Sequence, residues 1–278
     1  MASNLVVARG GVEYIPPISL AFWRWFFVFL ILLLFNYKII LKKIKYLKKE
    51  YKKLFFLGAM GCGVCGAFPF MAGTTTTVAN MGIIYTSSPI FIILISSYYY
   101  KERLNTFQFL GLALCFAGVI SIIAKGDVSL LVGLKFTSGD LWMLGAAIGW
   151  ALYSVFLLNW KSKFSLFSRF TIIAFFGAIS LLPFSLIENY FFRPVIFNEG
   201  FYFWTIFAAI SPGIIAFSLY AQVQKHLGAS ITGFTLYLFT VYGAFYGIVL
   251  FGEMLKSYHY FGAILVFAGM FFVRKKKN

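Results

Sequence analysis

Glu102-Arg-Leu104, followed by Gly111, Leu114, Phe116, Ala117 and Gly118, returns 151 residues later as Glu253-Met-Leu255, followed by Gly262, Leu265, Phe267, Ala268 and Gly269. A gap-free match over that distance makes the chain two related halves. What repeats is an apolar run with small residues inside it and a charged entrance.

Outward from this pair, the chain is 278 residues long, 61% hydrophobic and only 12% charged, with a mean hydropathy of +0.87. Soluble domains are about half apolar and about a quarter charged. The apolar residues come in successive runs near 18–37, 54–73, 80–99, 106–124, 139–159, 169–187, 201–224, 229–251 and 255–273. Each approaches the ~20 residues that an α-helix needs to cross a bilayer. The expected fold class is therefore an all-α membrane protein of about ten transmembrane helices. Ahead of the nine full spans, Met1–Tyr14 would reach about 20 Å as a helix, which reads as the second half of a tenth.

Lysine and arginine in short loops set orientation. The connector after the 18–37 run carries Lys38, Lys42, Lys43, Lys45, Lys48, Lys49, Lys52 and Lys53 against Glu50 alone, and is expected in the cytoplasm. Alternation then puts Lys101/Arg103, Lys161/Lys163/Arg169, Lys225 and the C-terminal Arg274–Lys277 inside as well. The segments 125–138 and 188–200, almost neutral, fall outside. With five helices per half, the second copy is upside down. Two inverted five-helix repeats, 1–124 and 139–278 within a single membrane domain, are an architecture of secondary transporters.

The formal charge of +16 does not point to nucleic acid, because the lysines lie in connectors and form no free basic domain. Cys62, Cys65 and Cys115 sit inside apolar runs and read as small packing residues, not as a disulfide framework or a zinc site. His226 and His259 are isolated, so neither a metal site nor an acid/base pair is expected. All eight acids, Glu13, Glu50, Glu102, Asp127, Asp140, Glu188, Glu199 and Glu253, fall at or near segment ends. No catalytic constellation or cofactor site is expected, and the chain is not read as an enzyme.

Five stretches carry a family likeness. They are Ala2-Ser-Asn-Leu-Val-Val-Ala-Arg9, Ile15-Pro-Pro-Ile-Ser-Leu-Ala-Phe-Trp-Arg-Trp25, Ile84-Tyr-Thr-Ser-Ser-Pro-Ile-Phe91 leading to Lys101-Glu-Arg-Leu104, Gly149-Trp-Ala-Leu-Tyr-Ser154 and Phe251-Gly-Glu-Met-Leu255. With them the chain resembles the drug/metabolite transporter superfamily, in its EamA-like branch of ten-helix proteins. The resemblance implies a carrier of small metabolites, amino acids or related compounds, working as an exporter. It also implies a complete first helix, leaving two readings of the short one: a start codon assigned late, with about ten more apolar residues encoded upstream to complete a span, or an incomplete copy. The position matching Pro89 is Thr240, so the ninth helix lacks the proline often found there.

Candidate site residues come from breakers, charges and aromatics. Gly61, Gly63, Gly66 and Pro69 in the third helix answer Pro212 and Gly213 in the eighth, and such interruptions point to a binding cavity. Close packing through Gly58, Cys62 and Gly66 is the alternative. Arg9 and Arg24 could hold a carboxylate or another anion, or snorkel to the outer interface. Tyr85, Trp150, Tyr153, Tyr220, Tyr237 and Tyr242 lie on helices that resemble the family's central cavity helices, where rings could stack on a substrate. Asn4, Asn80, Gln222 and Thr240 complete a neutral polar set, while Thr74–Thr77 reads as a helix start.

The expected function is thus alternating-access transport across the inner (plasma) membrane, with the lipid bilayer and a small molecule as partners and the C-terminus in the cytoplasm. A structural or regulatory subunit, or an inactive paralogue, is the first alternative. A membrane-embedded transferase is the second, disfavoured by the scarcity of carboxylate, His or metal-binding groups at a membrane face.

Overall fold

A computed structural model of the protein describes residues 3–75, 81, 84–101, 105–124, 127, 137–238, 241–242 and 257–274. Its elements are all helical. In chain order they are α1 (Ser3–Tyr14), α2 (Pro17–Lys42), α3 (Ile44–Ala72), α4 (Ser88–Tyr100) and α5 (Thr106–Ile123). There follow α6 (Ser138–Asn159), α7 (Leu166–Phe191), α8 (Glu199–Leu227), α9 (Ala229–Gly233, running on into a 3-10 turn at Phe234–Tyr237) and α10 (Ser257–Arg274). Five of these ten, α2, α3, α6, α7 and α8, are long and apolar enough to cross a membrane. Shorter apolar stretches occupy α4, α5 and α10.

Side chains set the helix starts. Pro17 opens α2 at a position where its missing N–H costs nothing. Asn105 and Gln108 cap α5 reciprocally, each side chain accepting from the other's backbone N–H at 2.8 and 2.9 Å. Asp140 accepts from Thr137 N–H at 2.6 Å before α6, and Asn198 from Phe201 N–H at 2.9 Å before α8. Gly228, at φ 84°, makes the turn between α8 and α9, where a side chain would be strained.

The structure corrects the expected spans in four places. The lysine-rich stretch 38–53 is not a loop: α2 runs through Lys42 and α3 starts at Ile44, so only Lys43 breaks the helices. Lysine and glutamate are good helix formers, and hydropathy marks where the apolar run stops, not where hydrogen bonding does. Arg169 is not a loop residue either. It lies buried in the first turn of α7, donating from Nη1 to Leu157 O at 2.7 Å. The expected interruptions of the third and eighth helices are π turns, Ala59–Val64 in α3 and Ala209–Ile215 in α8, through which each helix continues. A widened turn absorbs the clash and lost N–H of Pro212. Finally, Thr74 and Thr75 close α3 in a turn, Thr74 Oγ1 donating to Met71 O at 2.7 Å; the rest of the run expected as a helix start, Thr76 and Thr77, lies outside the described residues, as do Glu102 and Glu253.

Two helix crossings organise the packing. In the first, α5 meets α10 through the residues that repeat. A Cβ on Gly118 would come 2.6 Å from Gly262 O, one on Gly269 would come 2.6 Å from Gly111 O, and the Cys115 thiol points to Val266 O at 3.4 Å. Residue numbers rise along one helix as they fall along the other, so the two run antiparallel. At the 151-residue offset, Gly111 corresponds to Gly262, Cys115 to Val266 and Gly118 to Gly269. Each helix therefore offers its partner the same patch, as two-fold-related elements do.

The second crossing joins α2 to α7, also antiparallel. At one end Asn36 donates to Thr171 Oγ1 at 3.4 Å and accepts from Ser168 Oγ at 3.1 Å. In the middle the rings of Phe29 and Phe175 lie 5.0 Å apart. At the other end Glu188 accepts from Ile18 N–H at 3.1 Å and Ser19 N–H at 2.7 Å, while Ser185 Oγ donates to Ser19 Oγ at 3.1 Å. A carboxylate beside the first turn of α2 satisfies donors that no helix can satisfy internally.

Candidate functional site

Arg24 sits in the second turn of α2, buried with only 2% of its surface exposed. Its Nη1 donates to Asn4 Oδ1 on α1 at 2.7 Å. The guanidinium lies 4.6 Å from the Trp25 ring centroid and 5.6 Å from that of Phe70 on α3, within cation–π range. Among the described residues no carboxylate bonds it, and its Nε is buried without a partner. The Trp25 indole N–H is buried and unpartnered too. Both side chains lean on a bare stretch of α3: a Cβ on Gly66 would sit 2.7 Å from Trp25 Nε1 and 3.4 Å from Arg24 Nη2. Cys62, Cys65 and Tyr85 lie within electrostatic reach of the same cation.

Beyond Trp25 the site becomes aromatic. Its ring meets Phe217 of α8 edge-on at 4.8 Å, and Phe217 meets Trp150 of α6 at 5.2 Å and Tyr153 at 5.7 Å. Trp150 and Tyr220 are 4.9 Å apart. Tyr153 lies against Gly61 in the π turn of α3, where a Cβ would overlap its ring. This explains why small residues recur there: they admit large rings from α6.

At the far side of the rings is a neutral polar group. Ser154 Oγ and Tyr220 Oη share a 2.7 Å hydrogen bond, and Gln224 Nε2 donates to Ser154 O at 2.6 Å and to Ser154 Oγ at 2.7 Å. The centre thus has a cationic donor-rich pole at Arg24, an aromatic middle, and an amide–hydroxyl pole on α6 and α8.

Of the residues expected from sequence, Asn4, Arg24, Trp150, Tyr153 and Tyr220 come together here. Tyr85 is half-buried beside them. Gln222 is not part of the group: it is exposed, and Gln224 takes its place. Two positions on a helix are about 200° apart at 3.6 residues per turn, so only one of the two can face inward. Tyr237 is fully buried in a separate cluster with Cys115, Phe234 and Val266. Pro89 is buried in the first turn of α4 against Gly233, an interhelical contact. Tyr242 is 51% exposed. Arg9 lies on α1, but its side chain is outside the described residues, as are Asn80 and Thr240 altogether. Sequence reading missed Ser154, Gln224, Trp25 and Phe217. Ser154 stood in the quoted stretch Gly149–Ser154, and a helical wheel anchored on Tyr220 would have found Gln224, one turn on.

A buried arginine among rings, enclosed by spanning helices, defines a multi-pass α-helical membrane protein with a polar centre. Comparison with known proteins gives the family. The EamA-like transporter family matches residues 1–124 and 137–275, and the chain belongs to it. The protein is accordingly a membrane transporter and not an enzyme. An uncharacterized transporter of Bacillus subtilis (strain 168), YyaM, is 27% identical over 270 residues, covering 95% of this chain and 86% of that one. An uncharacterized transporter of Archaeoglobus fulgidus is 25% identical over 279 residues, covering 100% of this chain and 94% of its own. A solved crystal structure superposes with a TM-score of 0.76 at 18% identity, covering 98% of this chain and 92% of the other, which is likeness of fold alone.

Proposed function

We propose that the protein is a secondary carrier that exports small metabolites, amino acids or related compounds, by alternating access, from two inverted five-helix repeats spanning 1–124 and 139–278. The observation that carries this reading is the α5–α10 crossing, in which repeat-equivalent residues meet antiparallel and reciprocally. An axis that relates two halves this way inverts one of them relative to the membrane, so that an exchange of shapes between the halves opens one side as it closes the other. The repeat-equivalent π turns of α3 and α8 support the same relation and sit beside the polar centre. In this arrangement the lysine-rich α2–α3 hairpin and the C-terminus face the cytoplasm, across the inner (plasma) membrane.

Asn4, Arg24, Tyr85, Trp150, Tyr153, Ser154, Tyr220 and Gln224 are the residues proposed to meet the substrate. The described members, all but Asn4 and Tyr85 nearly or fully buried, would be reached through movement of the surrounding helices. The test is movement of labelled metabolites by purified protein in liposomes. Saturable flux of at least one amino acid or related compound is expected; properly folded protein that moves none of a broad panel would contradict the reading.

A further inference from the structure

The carrier reading leaves the chemistry of the cargo open, and the Arg24 pole narrows it. Nη1 is committed to Asn4, which leaves the Nε/Nη2 edge of the guanidinium, two parallel donors in a plane. Nε has no partner and is buried; Nη2 faces the Gly66 side of α3. The Trp25 indole N–H, also buried and unpartnered, converges on the same glycine. Three donors and a full positive charge are therefore gathered at one place, and no described carboxylate answers them. Unpaired buried donors such as Nε and the indole N–H cost about 1–3 kcal/mol each, more for charged groups, and an acceptor that arrives from outside would relieve that cost.

We infer that the transported molecule presents a carboxylate to Arg24 and Trp25 across the bare backbone of Gly66, with its apolar body on the rings of Trp25, Phe217 and Trp150. A carboxylate matches the side-on guanidinium edge because it is planar and carries two oxygens at the spacing of the two donors. Its charge neutralises a cation that no carboxylate bonds among the described residues. Gly66 has a reason of its own: any Cβ there would occupy the cradle between the two donors. This inference rests on the transport reading but is separable from it.

The test uses matched acids and amides on the purified full chain in detergent: L-phenylalanine and its amide, L-leucine and its amide, benzoate and benzamide, with inorganic phosphate as a further arm. Binding is read from intrinsic tryptophan fluorescence and from the melting temperature. At least one acid is expected to bind at least about tenfold more tightly than its amide, a difference of about 1.4 kcal/mol. Arg24→Gln should abolish that preference, Gly66→Ala should weaken the acid, and Arg24→Lys should restore part of the preference, because the charge returns without the fork. Amides that bind as well as acids, no acid binding at all, or binding of phosphate alone would each overturn the carboxylate assignment. The acid–amide comparison is made on the unmutated protein, so a variant that fails to fold does not spoil it. Saturable flux of uncharged or amine compounds without acid binding would overturn this inference and leave the carrier standing. Acid binding that depends on Arg24 but comes with no flux of any compound would overturn the carrier reading and leave only a carboxylate-binding site at Arg24.

Discussion

The α5–α10 and α2–α7 crossings relate the two halves in the same antiparallel sense, yet they are built from opposite materials. At α5–α10 the contact is backbone on glycine: Gly118 on Gly262 O and Gly269 on Gly111 O, with a thiol between. At α2–α7 the contact is made by side chains, Asn36 with Ser168 and Thr171 at one end and Glu188 with Ile18 and Ser19 at the other. The glycine seam is short-range and unforgiving, because carbonyls cannot move aside without moving the helix. The polar seam is adjustable, because hydroxyl and amide partners can be exchanged. The repeat survives in sequence where it is sterically enforced and fades where chemistry offers substitutes. Gly111, Gly118, Gly262 and Gly269 match across the halves, whereas at the same offset Asn36 falls on Ile187 and Glu188 on Tyr37.

This contrast can be broken at either seam. The largest effect is expected at Gly118→Leu, whose first side-chain carbon would lie 2.6 Å from Gly262 O and 2.9 Å from Leu265 Cβ. Overpacking of a well-packed contact costs about 1–3 kcal/mol or more, and here the obstructing atom is backbone. The protein should lose several degrees or more of Tm in detergent, or fail to accumulate; a Tm equal to that of the unmutated chain would show that the helices do not approach so closely. Glu188→Ala should cost less. It strips two backbone N–H groups at the start of α2 of their acceptor, worth about 1–3 kcal/mol, but neighbouring Ser185 and water at the helix end can take over part of the role. A loss as large as that at Gly118 would mean the polar seam is the stiffer of the two.

Much of this architecture was legible in the sequence, for identifiable reasons. Apolar runs betray spans because lipid admits few charges, and the repeat was visible because glycines at a backbone contact resist replacement. That α2 runs on to Lys42 and that α3 already includes Lys45 was not legible, since hydropathy records the solvent and not the backbone hydrogen bonds. Arg169 was counted with the cytoplasmic connector on its charge, while in the structure its Nη1 donates to the Leu157 carbonyl near the end of α6. At the site, aromatic and charged residue types pointed to Arg24, Trp150, Tyr153 and Tyr220, but residue type carries no facing. That is why Gln222 was taken for Gln224, and why Tyr237 was grouped with rings from which it is separated. Trp25 was passed over, since its buried, unpartnered N–H can be seen only in three dimensions.

Inversion of the two halves is decided at the ends of α3 and α8. These helices correspond, each with a π turn, and Lys48 and Glu199 lie exposed near their starts. Single cysteines at the two positions, Lys48→Cys and Glu199→Cys, in a background lacking the three native cysteines, should be probed with a membrane-impermeant maleimide on intact cells and after lysis. With inverted halves, Glu199→Cys is labelled on intact cells and Lys48→Cys only after lysis. Labelling of both positions from the same side would contradict inversion.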